Sequence, residues 1–218
     1  MNLAADVPAE APRNCPLCAR LVAFRIANQA AEPTWHNGAV ASFGSPNARL
    51  LVVGLAPGLK GANRTGRPFT GDFAGDLLYS TLAEFDFARG VYRASPDDGF
   101  TLADCMITNA VRCVPPQNKP TPAEIATCRP FLMSRVAAMP RLAAILALGR
   151  IAHDSTLTAF QKRKLDFPFA HGARHTLRPG LVFFDSFHCS RYNTNTGRLT
   201  PDMFRAVLGA IRAHLDQT

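Results

Sequence analysis

The chain has 218 residues, of which 47% are hydrophobic and 18% are charged. This length and apolar content predict a single folded domain over residues 1–218 with its own hydrophobic core, and they exclude a disordered tail protein. Lys and Arg together number 24 against 16 Asp and Glu, which gives a net charge of +8. The excess favours a polyanionic partner, although an ordinary basic surface would produce the same balance.

Neither a membrane span nor a secretion signal is predicted. The longest apolar candidate, Leu142–Gly149, has the length of a core strand, whereas a transmembrane helix needs about 18 consecutive apolar residues or more. The N-terminal stretch 1–10 lacks a basic start followed by an apolar segment. We therefore expect a cytoplasmic protein with reduced thiols.

Four short apolar runs predict buried β-strands: Leu50–Val53, Met106–Thr108, Ala143–Leu148 and Leu181–Phe184. Helices are predicted between and after them. Thr121, followed by proline and by Glu124, begins a helix that runs towards Val136, and Thr200–Pro201 begins the last one. This alternation predicts a three-layer α/β/α sandwich around a short, mostly parallel sheet. Ligands of such folds bind beyond the carboxyl ends of the strands, so the polar segments 54–72, 109–119 and 186–198 are expected to meet at the functional site.

Four of the six cysteines form two sets: Cys15 with Cys18, and Cys113 with Cys128 on either side of a proline-rich loop. Thiolates so placed can converge on one metal centre, and their spacing does not choose between zinc and an iron–sulfur cluster. A redox motif is disfavoured because the first pair precedes the first strand, and disulfides are disfavoured by the compartment. Unrelated buried thiols are the alternative, and they account well for Cys105.

Longer motifs in the three polar segments resemble a known family. The stretch GLAPG, followed by GANRTGRPFTGD up to Asp72, resembles the first active-site motif of the uracil-DNA glycosylase superfamily, specifically its family 5 (type b). In the expected order, ITNAVRC with Pro115–Pro116 resembles the middle strand and cluster loop of families 4 and 5, and DSFHCS continuing to NTGRLT resembles the second active-site motif. Together with the first cysteine pair, the resemblance spans nearly the whole chain.

The resemblance implies the uracil-DNA glycosylase fold and a [4Fe-4S] cluster held by Cys15, Cys18, Cys113 and Cys128, with a structural or DNA-positioning role. The partner it implies is DNA that contains deaminated bases, processed by a monomer during base excision repair at the bacterial nucleoid. One position departs from the family. Cys189 stands where proline usually follows the motif histidine, which relaxes the backbone and leaves an N–H group to satisfy.

Hydrolysis of a deoxyribosyl bond needs one group that stabilises positive charge on the sugar and another that stabilises the departing base. By the family match, Asp72 is the catalytic carboxylate that faces the sugar and orients the attacking water. Its local sequence fits equally well an N-cap of the following helix. His188 matches the donor to a base carbonyl oxygen, although a lone histidine is more often structural.

The target base must rotate out of the duplex, so a pocket is required. The resemblance assigns Phe69 to stacking on the base and Asn109 to reading its edge; the alternatives are core packing and a strand-end turn. Further substrate contacts are expected at Gly54, Leu55, Ala56, Gly58, Ser190 and Asn195. Asn109 favours uracil without excluding hypoxanthine or xanthine.

Four arginines of the same segments are expected to contact DNA phosphates, which makes binding weaken as salt rises: Arg64, Arg67, Arg191 and Arg198. Taken singly, each is also an ordinary surface charge. Two rival functions are a non-catalytic DNA-binding module that keeps the fold and cluster, and a zinc-bearing nucleotide hydrolase. His171–Gly172 also matches the family pattern, without a role assigned to it.

Overall fold

The structure, a computed structural model, describes residues 7–218, so that residues 1–6 of the N-terminal stretch lie outside the described part. The strands are β1 (Phe43–Gly44), β2 (Leu50–Gly54), β3 (Ala88–Arg89), β4 (Thr101–Leu102), β5 (Cys105–Asn109), β6 (Ala144–Leu148), β7 (Arg174–Arg178) and β8 (Leu181–Ser186). The helices are α1 (Ala19–Ala31), α2 (Ala62–Thr65), α3 (Phe73–Glu84), α4 (Pro122–Ala137), α5 (Arg150–Ala159), α6 (Arg191–Asn195) and α7 (Pro201–Leu215). Among the described residues, none of the helices combines the length and apolar character needed to cross a membrane.

Six strands form one sheet in the order β1-β5-β2-β6-β8-β7, and β3 pairs with β4 in a separate hairpin. The four central strands run parallel, while β1 and β7 pair antiparallel at the two edges. Every residue of the central strands is buried, which is typical of parallel strands covered on both faces. These are the four strands that the apolar runs predict, and the mostly parallel sheet is confirmed.

Helices cover both faces of the sheet. In β2, Leu50 and Val52 join a core cluster that includes residues of α3 and α7, whereas Leu51 and Val53 join a second cluster that includes residues of α4 and α5. Burying a side chain of this kind stabilises the fold by about 1.5–3 kcal/mol. Both helical layers therefore pack against the same strands, one on each face of the sheet, and the predicted three-layer sandwich is confirmed.

The sequence did not predict the two edge strands. β1 has only two residues, and β7 carries charged residues with largely exposed or half-buried side chains, so neither forms an apolar run. Pairing with a neighbouring strand holds each of them: Phe43 lies opposite Ile107, and Thr176 lies opposite Val182. Such pairing depends on tertiary structure and leaves little trace in the local sequence.

The two predicted helix starts are confirmed. Thr121 Oγ1 accepts the N–H of Glu124 at 3.2 Å, and Glu124 Oε2 accepts the N–H of Thr121 at 2.7 Å, which forms a capping box on α4. Glu124 also binds Arg20 of α1 through both carboxylate oxygens, at 2.8 and 2.7 Å. At the start of α7, Thr200 Oγ1 accepts the N–H of Met203 at 3.2 Å.

A buried cluster of titratable side chains lies at the carboxyl end of β8. Asp185 is fully buried, with Oδ1 2.7 Å from Nδ1 of His153 in α5 and Oδ2 3.6 Å from Nε2 of His175 in β7. Burial raises the pKa of Asp185, and the two histidines lower it. The hydrogen bond between His153 and Asp185 ties α5 to β8 shortly before the chain reaches His188.

Candidate active site

A cleft of about 360 Å³ lies beyond the carboxyl ends of β2, β5 and β8. The three polar segments meet there and contribute nine of the predicted site residues to its walls: Leu55, Ala56, Gly58, Phe69, Asp72, Asn109, His188, Ser190 and Arg191. Pro57, Phe73, Ala74 and Asn118 also line it, and sequence reasoning did not single them out. A cleft of this volume is large enough for one extruded nucleobase.

Asp72 occupies the N-cap position of α3, yet its side chain makes no capping hydrogen bond. The carboxylate instead accepts the backbone N–H of Ala62. Gly58 and Gly61 form its cradle, since a Cβ built on either would lie 2.6 Å or 2.0 Å from an atom of the carboxyl group. Burial raises the pKa of Asp72, while the Ala62 hydrogen bond and the charge of Arg64 lower it. The group is therefore a partly desolvated carboxylate held by glycines, and the capping alternative does not describe its side chain.

His188 faces the same cleft from the loop after β8, where its ring lies 5.9 Å from the ring of Phe69, centroid to centroid. Burial lowers the pKa of His188 to about 4, so the imidazole is neutral at neutral pH. Within residues 7–218, no group hydrogen-bonds to the imidazole nitrogens. A neutral ring can still donate one N–H to a ligand.

Two side chains brace the backbone around His188. Asn193 Nδ2 donates to the carbonyl oxygen of His188 at 2.8 Å, and His171 Nδ1 accepts the N–H of Phe187 at 3.2 Å. The second bond gives His171 the structural role that the sequence left open. Asn193 went unnoticed, although it stands three residues after Ser190, whose hydroxyl caps α6 by accepting the Asn193 N–H at 3.4 Å.

The side chains of Phe69 and Asn109 both lie against Gly54. A Cβ on Gly54 would lie 2.4 Å from Asn109 Oδ1 and 2.7 Å from Phe69 Cζ, so glycine is required for this close approach. Phe69 is 7% exposed and has a φ of +55°, a strained backbone conformation for a bulky residue. Asn109 is 2% exposed, and its Oδ1 has no hydrogen-bond partner among the described residues. Strain and an unpaired buried amide oxygen at one place are typical of a functional site.

Three of the four predicted arginines lie at or beside the cleft. The Arg191 guanidinium lies 5.1 Å from the ring centre of Phe73 in its wall. Arg64 lies near enough to Asp72 for its charge to lower the pKa of that carboxyl. Arg198 lines an adjoining cavity of about 430 Å³ that shares His188 with the cleft. These guanidinium groups make the rim of the site positively charged.

Arg67 and Asn195 do not lie where the sequence placed them. The Arg67 side chain is 7% exposed, and its two terminal nitrogens bind both oxygens of Asp98 at 2.8 and 2.9 Å. A guanidinium fixed in this way holds the loop together and does not reach a phosphate. Asn195 is exposed at the end of α6 and is absent from the cleft walls, whereas Asn193, on another side of the same helix, reaches His188.

One small cavity lies between α1, α4 and the loop after β5. It is lined by the four cysteines that the sequence groups in two sets: Cys15, Cys18, Cys113 and Cys128. All four are free thiols, and the backbone N–H of Arg112 donates to Cys128 Sγ at 3.3 Å. In the described part of the chain, no three His, Cys, Asp or Glu side chains converge closely enough to hold a metal ion. The pKa of Cys113 is raised to about 12, mainly by burial and also by the neighbouring thiols, although the charge of Arg25 lowers it.

Comparison with known proteins identifies the family. Residues 41–212 match the family model of the uracil DNA glycosylase superfamily. The chain belongs to this superfamily. It is 45% identical over 200 residues to a type-5 uracil-DNA glycosylase of Thermus thermophilus, covering 89% of this chain and 90% of that protein. It is 37% identical over 199 residues to a type-5 uracil-DNA glycosylase of Pyrobaculum aerophilum, covering 89% and 86%, and 32% identical to a type-4 enzyme of that organism over only 59% of this chain.

Membership of the uracil-DNA glycosylase superfamily confirms the resemblance drawn from the motifs. Cys189 stands in the position where the motif resemblance predicts proline. The residue is fully buried in the core cluster, and burial raises the pKa of its thiol to about 12. The loop that carries His188 is thus held by packing and by the Asn193 hydrogen bond, where a proline would have restricted the backbone directly.

Proposed function

We propose that the protein is a DNA glycosylase that hydrolyses the N-glycosidic bond of uracil in DNA, as part of base excision repair. The observation that carries this proposal is the presence of Asp72 and His188 in the walls of one base-sized cleft, in a chain of this superfamily. Its similar relatives bear the name type-5 uracil-DNA glycosylase. The proposed partner is therefore DNA, and the proposed working form is a monomer in the cytoplasm.

In the proposed mechanism the target nucleotide rotates out of the stack and its base enters the cleft. Phe69 stacks on the base, and the Asn109 amide, which can both donate and accept, reads its edge. The unpaired Oδ1 of Asn109 supports this role, because a bound base with an N–H group would satisfy it.

Bond cleavage develops positive charge on the sugar and negative charge on the base. The Asp72 carboxylate is proposed to stabilise the sugar and to orient the attacking water, and the neutral His188 imidazole to donate a hydrogen bond to a base carbonyl oxygen. The low pKa of His188 supports a donor that carries no charge of its own. Both groups are fixed before substrate arrives, by the glycine cradle and by Asn193 respectively.

Backbone binding is assigned to Arg64, Arg191 and Arg198, and Arg67 is left out because Asp98 already engages it. Phosphate contacts of this kind release counterions, so binding should weaken as salt rises. We propose uracil as the principal base, with hypoxanthine and xanthine as further substrates. A release assay across the three bases decides their ranking.

We propose that Cys15, Cys18, Cys113 and Cys128 hold a [4Fe-4S] cluster. The four thiols fit this group because they line one cavity and all four are free to act as ligands. Bound there, the cluster would supply a crosslink between α1, α4 and the loop after β5, with no part in hydrolysis. Protein purified without oxygen should be brown and absorb broadly near ~400 nm, whereas a zinc protein would be colourless.

The decisive experiment measures uracil release from DNA by the purified protein and by two variants. Asp72→Ala should reduce release by orders of magnitude, because it removes the carboxylate that stabilises the sugar. Asp76→Ala is the matched control, since Asp76 is an exposed carboxylate in the first turn of the same helix. A protein that binds DNA but releases no base would instead be the non-catalytic DNA-binding module.

A further inference from the structure

The cavity of the four cysteines is flanked by guanidinium groups that lie inside the protein. Arg25 of α1 is 6% exposed and donates to the carbonyl oxygen of Cys15 at 3.1 Å. It forms no ion pair with any residue in the described range. Arg112 is 1% exposed and immediately precedes Cys113. Two buried positive charges therefore lie at the sides of this cavity.

The carboxylates nearby do not balance these charges. Glu10 is shared, with Oε2 3.2 Å from Arg112 and Oε1 2.6 Å from Arg135. The other acid near the thiols, Glu124, already binds Arg20 through both oxygens. Arg112 and Arg135 thus share one carboxylate, while Arg25 has none. Among the described residues, these three largely buried guanidinium groups therefore carry a surplus of two positive charges.

Buried positive charge of this kind is unfavourable unless an anion compensates it, because the solvation of the guanidinium by water is lost. Four neutral thiols supply no such anion. An oxidised [4Fe-4S] core held by four thiolates carries a net charge of about −2, which matches the surplus. We infer that Arg25 and Arg112 are the counter-charges of the cluster: they stabilise its bound form and raise its reduction potential. This inference rests on the proposed cluster.

The sign of the effect on the potential follows from charge. Reduction adds one electron to an already anionic group, so nearby positive charge favours the reduced state. A hydrogen bond to a cluster sulfur acts in the same direction, and Arg112 supplies one through its backbone N–H to Cys128 Sγ at 3.3 Å. Because Arg25 makes one carbonyl contact and no ion pair, its side chain can be changed with less disturbance of the fold than that of Arg112.

The test uses full-length protein, purified without oxygen, in wild-type, Arg25→Met and Arg25→Lys forms. Methionine keeps a long side chain without charge, and lysine keeps the charge without the planar guanidinium. Arg178→Met is the control, since Arg178 is exposed on β7 at the opposite edge of the sheet. Iron content, visible absorbance and the reduction potential from an EPR-monitored titration are measured on each, together with uracil release.

Arg25→Met should lower the reduction equilibrium constant by about tenfold, which is about 59 mV for one electron, with Arg25→Lys and Arg178→Met close to wild type. Loss of the cluster in Arg25→Met with retention in Arg25→Lys would equally support the counter-charge. An unchanged potential in Arg25→Met, or cluster loss in both Arg25 variants, would overturn it. A colourless wild-type protein that still releases uracil would overturn the cluster and this inference together, and would leave the glycosylase proposal standing.

Discussion

Replacing Gly58 with alanine should disable the enzyme without unfolding it. A Cβ built on Gly58 lies 2.6 and 2.7 Å from the two carboxylate oxygens of Asp72, whereas ordinary contacts begin at 3.4 Å. The carboxylate must therefore move by roughly 0.7 Å to restore van der Waals separation. Asp72 can yield by rotating its side chain, so the displacement falls on the catalytic group and spares the core.

The size of the effect follows from that displacement. A misplacement of about 1 Å in a catalytic group costs on the order of 100-fold in rate. We expect Gly58→Ala to lower single-turnover uracil release by about 100-fold, or about 2.7 kcal/mol of transition-state stabilisation. The free energy of unfolding should change by only about 1 kcal/mol, because the loss is confined to the hydrogen bond between the Asp72 carboxylate and the Ala62 N–H.

A double-mutant cycle separates this reasoning from its alternative. If Gly58→Ala acts by displacing the Asp72 carboxylate, it should have little further effect in the Asp72→Ala background. Gly58 also lines the cleft, so an added methyl group could instead obstruct the base. A 100-fold loss that persists in the Asp72→Ala background would refute the displacement mechanism, as would full activity of the single variant.

Three further predictions concern the supports of the site. Arg64→Gln should move the acid limb of the pH profile of kcat/KM to higher pH, because Arg64 lowers the pKa of Asp72 and the enzyme needs this carboxylate ionised. The control, Arg191→Gln, should weaken DNA binding and leave the acid limb at the same pH. Asn193→Ala should reduce kcat by up to about 100-fold with an unchanged melting temperature, because His188 loses its brace; equal rates would contradict this. His153→Ala should lower the free energy of unfolding, measured with urea, by about 3–5 kcal/mol, because the buried Asp185 loses its nearest hydrogen-bond partner. A decrease below about 1 kcal/mol would show that the contact between His153 and Asp185 contributes little to stability.

Local sequence patterns determined the parts of the fold whose causes are local. The apolar runs identified all four central strands, because a parallel strand buried on both faces is apolar along most of its length. The capping box at Thr121 determined where α4 begins, since both of its hydrogen bonds lie within four residues. The order of polar segments after strands also located the cleft, because the carboxyl ends of parallel strands meet at one edge of a sheet.

Tertiary structure alone decided which of several residues with similar local sequence reach the functional site. Arg64 and Arg67 belong to one loop, but only Arg67 meets Asp98, which lies 31 positions further along the chain, and is buried by that pairing. Asn193 and Asn195 belong to one helix, yet its rotation turns only Asn193 towards His188. Asp72 could cap α3 or face the cleft, and the space left by Gly58 and Gly61 decides for the cleft. In each case the deciding contact depends on how the chain packs, and short-range sequence patterns do not encode that packing.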